Sequence, residues 1–87
     1  MANIHVKKTN IEGLYVIEPI VFSDYRGIYF ETYNYEVFSS YGLNYHFVQD
    51  NESVSKKGVL RGMHVNMKHP QGKLIRVLSG EILDVVI

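Results

Sequence analysis

The chain has 87 residues, 46% of them apolar and 21% charged, which bounds it to one small globular domain spanning 1–87. Nine basic residues balance nine acidic ones, which leaves no electrostatic footprint for nucleic acid or an anionic membrane surface. With no cysteine, disulfides, thiolate catalysis, Cys-based zinc sites and iron–sulfur clusters are excluded.

The start, Met1 to Lys8, is polar and lacks the apolar stretch of a secretory signal. No apolar run approaches the roughly 20 residues of a membrane-spanning helix. These features, with the missing cysteines, fit a cytoplasmic protein.

Leu14–Val21 is apolar apart from Glu18 and Pro19. Pro19 cannot donate to a ladder, so the segment is predicted to be an edge or bent strand. Phe22 to Gly27 has turn chemistry, with Asp24 and Gly27 as punctuation. Ile28–Tyr33 is predicted as a strand with Ile28, Phe30 and Thr32 on one face. One short helix is expected over 34–41. Asn34 is its N-cap, Glu36 sits in the first turn, and Val37, Phe38 and Tyr41 form the apolar stripe. Gly42 is placed to stop it.

Strands are predicted next over Tyr45–Ser53, Val59–Asn66, Lys73–Leu78 and Glu81–Ile87. Ser55–Gly58 and Lys68–Gly72 are the loops, and Ser79-Gly80 is a tight turn. The pattern predicts an all-β antiparallel sandwich or barrel. All seven Tyr and all four Phe lie between Tyr15 and Phe47. They serve as β core or, in part, as a stacking floor for a planar ligand. The final segment, Ile82 to Ile87, is so apolar that another chain must cover it or the sequence is a piece of a larger domain.

The stretch Leu60-Arg61-Gly62-Met63-His64 holds the main chemical candidates. Arg61 and His64 stand on an otherwise apolar strand, with Lys73 and Arg76 on the next one. Cations among apolar residues need anionic partners, and a bound anion could supply them. A regular strand puts Arg61 and His64 on opposite faces, and a bulge at Gly62 would bring them to one pocket. Gln49 and Asn51 share a face, either to hydrogen-bond a ligand or simply as a solvated strand edge. A metal site is not expected: the stretch from His64 to Gln71 lacks two of the ligands that a His-x-His…Glu pattern needs. No Gly-rich phosphate loop is present.

Several blocks together resemble a known family. They are Asp24–Glu31, Phe47–Ser53, Val59–His64 and Gln71–Arg76, followed by Gly80-Glu81 and Asp84. In that order and spacing the chain resembles the amino-terminal half of the dTDP-4-dehydrorhamnose 3,5-epimerases, sugar-nucleotide enzymes of the cupin superfamily. The resemblance implies part of a cupin-type antiparallel jelly roll and a homodimer. It also implies a dTDP-sugar substrate and no metal or other cofactor. By position, His64 matches the catalytic base and Lys73 the residue beside the sugar's keto oxygen. Arg26, Glu31, Gln49, Asn51 and Arg61 match residues that bind the nucleotide sugar, Arg26 and Glu31 in some dimers from the neighbouring subunit. The general acid of the family falls on none of the seven tyrosines here. Val65 and Asn66 depart from the aromatic and Gln common after the family's His.

The implied reaction is epimerisation of dTDP-4-keto-6-deoxyglucose at C3 and C5, in dTDP-rhamnose biosynthesis. Two alternatives stay open at this point: a related mono-epimerase using the same base, or a truncated β fragment without activity of its own.

Overall fold

The computed structural model describes residues 4–62 and 71–86. They belong to two units, Met1–His46 and Phe47–Val86. All of the regular secondary structure described lies in the first: four strands in two antiparallel hairpins, and one short helix.

Strands β1 (Ile4–Lys8) and β2 (Tyr15–Pro19) pair with Ile4 opposite Pro19, Val6 opposite Ile17 and Lys8 opposite Tyr15. Alternation places Ile4, Val6, Tyr15 and Ile17 on the inner face. On the other face the Lys7 ammonium meets the Glu18 carboxylate at 2.6 Å, diagonal to the pairing of His5 with Glu18. Pro19 closes the ladder at its end, where no donor is required. The turn is held by Thr9, whose hydroxyl donates to Leu14 O at 2.9 Å and accepts from the Ile11 amide at 3.1 Å. β1 was not expected from the sequence: with only Ile4 and Val6 apolar in it, its alternation is too short to stand out from a polar start.

Strands β3 (Phe22–Asp24) and β4 (Gly27–Tyr29) form a tight hairpin with Tyr25 and Arg26 at its tip. The pairing is shorter than the strand predicted over Ile28–Tyr33, and its residues are exposed.

Helix α1 spans Tyr35–Ser40, within the helix predicted over 34–41. Asn34 is extended at φ −148°, and its side chain accepts from the Val37 amide at 3.1 Å. At the other end the Gly42 amide donates to Ser39 O and the Leu43 amide to Phe38 O, both at 3.0 Å. This is a Schellman closure, and Gly42 takes the positive φ of +83° that it needs. Leu43 also packs with Phe38 and Ile4, so the cap and the core are one structure. Ile4, Phe38 and Leu43 are the buried apolar residues among those described. Each contributes roughly 2 kcal/mol by burial. Tyr33 meets Phe38 edge-on, ring centres 4.9 Å apart, and donates its hydroxyl to the Tyr45 carbonyl.

The second unit corrects a prediction. Among its described residues there is no strand, whereas four were expected across 45–87. Val48 is 93% exposed, Leu60 93% and Leu83 92%. Alternation marks a chain as able to form a strand, but the ladder and the packed layer come from neighbours. Here those side chains meet no such layer. A turn forms at Lys56–Val59, where the Val59 amide reaches Lys56 O at 3.2 Å and Gly58 has φ +86°. The chain bends again at 78–80 around Gly80.

Candidate active site

The hairpin tip places Arg26. The Asp24 carboxylate accepts from the Arg26 amide at 2.8 Å, an Asx-turn that closes the loop. It also accepts from the Arg26 guanidinium, with Nη2 at 2.7 Å and Nε at 3.2 Å. The guanidinium carbon lies 5.8 Å from the centre of the Tyr25 ring, within cation–π range. First the Arg26 side chain and then its amide hold the Asp24 carboxyl below its usual value. The face of this hairpin, with Phe22, Asp24, Arg26 and Tyr29, lines a hollow open to solvent. Arg26 therefore stands at a concave surface with its charge already partnered. Glu31 follows β4, outside regular structure and half-buried.

In the second unit the structure brings two predicted residues together. Gln49 Nε2 donates to Asn51 Oδ1 at 3.2 Å, a contact between exposed side chains two residues apart, outside the strand that was to give them a shared face. Arg61 meets a residue that sequence reasoning did not connect with it: its Nε donates to Ser55 Oγ at 2.9 Å. The turn at Lys56–Val59 makes this possible, and six residues of separation leave no periodic signal of it. Lys73 is exposed, in the stretch 71–77 that has no regular secondary structure. His64 lies outside the described residues, and with it the question of which face it shares with Arg61. Gly62, where a bulge was anticipated, has φ +120°, a backbone that glycine tolerates best.

Among the described residues no three His, Asp or Glu side chains gather as a metal site, and no helix is long and apolar enough to cross a membrane. His64 lies outside that set. In the first unit Arg26 is a cation already tied to Asp24; in the second, Arg61 and Lys73 are exposed cations and Gln49 and Asn51 exposed amides. Asp24 is the further residue that the sequence reading did not assign. An Asp two residues before Arg at a hairpin tip was its available signal.

The sequence pattern of the family described as dTDP-4-dehydrorhamnose 3,5-epimerase matches residues 8–87. Among curated proteins, the dTDP-4-dehydrorhamnose 3,5-epimerase of Methanothermobacter thermautotrophicus is 51% identical over 87 residues, covering 100% of this chain and 47% of that protein. The protein of the same name from Salmonella typhimurium is 48% identical over 84 residues, 94% of this chain and 46% of its own. That from Shigella flexneri is 45% identical over 86 residues, 97% and 48% respectively. The chain spans about half the length of the curated relatives it matches. No solved structure matches it.

Proposed function

The chain belongs to the dTDP-4-dehydrorhamnose 3,5-epimerase family, and from that premise we propose that it carries the base-bearing part of such an epimerase. The substrate class is a dTDP-linked 4-keto-6-deoxy sugar, epimerised at C3 and C5 in dTDP-rhamnose biosynthesis. The observation that carries this reading is the family match over 8–87, which contains Arg26, Glu31, Gln49, Asn51, Arg61, His64 and Lys73. The wider expectations belong with it: one domain, a cupin-type jelly roll, a homodimer and a cytoplasmic location.

The chemistry suits these residues. A 4-keto group acidifies the hydrogens on the two carbons beside it. His64 removes one such proton, histidine being the side chain type best suited to a base at neutral pH. The electron pair moves onto the keto oxygen as an enolate, and the Lys73 ammonium stabilises that charge. Reprotonation from the opposite face inverts the carbon. The acid for that step is not assigned to any residue of this sequence. Arg26 and Arg61 answer the diphosphate charge, and Gln49 with Asn51 offer amide donors and acceptors along the nucleotide sugar.

The test is the reaction in deuterated water. We expect deuterium at both C3 and C5 of the product, from a polypeptide of the relatives' length carrying this segment. Label at one carbon alone would identify a mono-epimerase, and label at neither would refute the reading.

A further inference from the structure

Two arginines of this chain are held in opposite ways. Arg26 is bound to the Asp24 carboxylate, which spends much of its charge within the hairpin. Arg61 is bound to a neutral hydroxyl: its Nε donates to Ser55 Oγ at 2.9 Å, and no carboxylate among the described residues pairs with it. The contact spans a turn closed by the Val59 amide on Lys56 O, with Gly58 at φ +86°.

A guanidinium carries five N–H donors in a rigid planar fork. With Nε committed to Ser55, the four donors on the two terminal nitrogens stay available at the far end. A hydroxyl fixes the plane of that fork without neutralising it, whereas a carboxylate would fix it and compete with any incoming anion.

We propose that Ser55 is a positioning residue for Arg61, holding the guanidinium by Nε so that its terminal nitrogens meet the diphosphate of the nucleotide sugar at full charge. This rests on the reading of Arg61 as a ligand contact. Ser55 itself touches no ligand in this account. Its effect is on affinity through Arg61, not on proton transfer.

The experiment is a titration of the ¹⁵N-labelled chain with dTDP, comparing wild type with Ser55→Ala, Ser55→Thr, Arg61→Met and the Ser55→Ala/Arg61→Met double variant. Losing one oriented hydrogen bond is expected to weaken dTDP binding about fivefold in Ser55→Ala. Ser55→Thr keeps the hydroxyl and is expected to restore binding to within about twofold of wild type. In the Arg61→Met background, Ser55→Ala should change nothing further. The Arg61 Nε–Hε resonance should move in Ser55→Ala and stay in place in Ser55→Thr. Wild-type affinity in Ser55→Ala, or an equal loss with Arg61 already removed, would overturn the proposal while leaving Arg61 a ligand contact. Wild-type affinity in Arg61→Met would instead show that Arg61 does not bind the ligand, and both readings would fall.

Discussion

Asp24 and Arg26 are joined twice, once through the Arg26 amide at 2.8 Å and once through its guanidinium at 2.7 Å. One carboxylate thus closes the β3–β4 turn and restrains the side chain at its tip. The same pair gives the hairpin a pH dependence. The Asp24 pKa is lowered in the folded chain, chiefly by the Arg26 side chain. Its contribution is therefore fully present above the usual carboxylate pKa and is lost as pH falls through the depressed folded value.

In an NMR titration, the Arg26 Nε resonance is predicted to stay constant from neutral pH down to the usual carboxylate range. It should then shift together with the Asp24 carboxyl below that range. Asp24→Asn should remove the transition. An Arg26 resonance indifferent to Asp24 protonation would show that the pair does not restrain the side chain.

The first unit depends on Phe38. It is 3% exposed and touches the residues that cap its own helix. Phe38→Ala is predicted to cost about 3–5 kcal/mol, enough to abolish the helical signal of so small a core. Asn34→Ala should cost about 1 kcal/mol by removing the N-cap. Circular dichroism with thermal unfolding distinguishes the two. A Phe38→Ala variant as stable as Asn34→Ala would mean that the core is not centred on this ring.

Gln49 and Asn51 are predicted to act as a pair. If they line one ligand surface, each single Ala substitution should weaken dTDP binding about fivefold, and the double substitution should cost less than the two combined. Titration calorimetry over that cycle is the check. Strict additivity would indicate independent, solvated side chains.

What the sequence disclosed was mostly local. The Asn34 cap and the Gly42 stop act within one or two turns of chain, and both stand where residue type placed them. Gln49 and Asn51 meet through a local hydrogen bond, without the strand that the period of two predicted. Pairings that need distant partners were less legible. β1 offered too short a pattern, and β4 ends at Tyr29 because a tight hairpin supplies only three paired positions. The strands expected after Tyr45 rested on alternation at Val48, Leu60 and Leu83, whose side chains have no packed layer against them here. At the site, Ser55 escaped notice because its tie to Arg61 runs through a turn and not through a repeat. The chemical roles proposed for His64 and Lys73 rest on the family blocks, and no spacing rule would have suggested them.

The most direct measurement follows proton exchange at the sugar. These 87 residues would replace the matching segment of the Methanothermobacter thermautotrophicus relative, and solvent deuterium incorporation into dTDP-4-keto-6-deoxyglucose would be followed with and without His64→Asn. The account predicts deuterium at C3 and C5 with His64 in place. With His64→Asn it predicts no incorporation, dTDP binding being largely kept. Exchange that persists in the His64→Asn protein would contradict the assignment of the base, and with it the claim that this segment carries the reaction's proton abstraction.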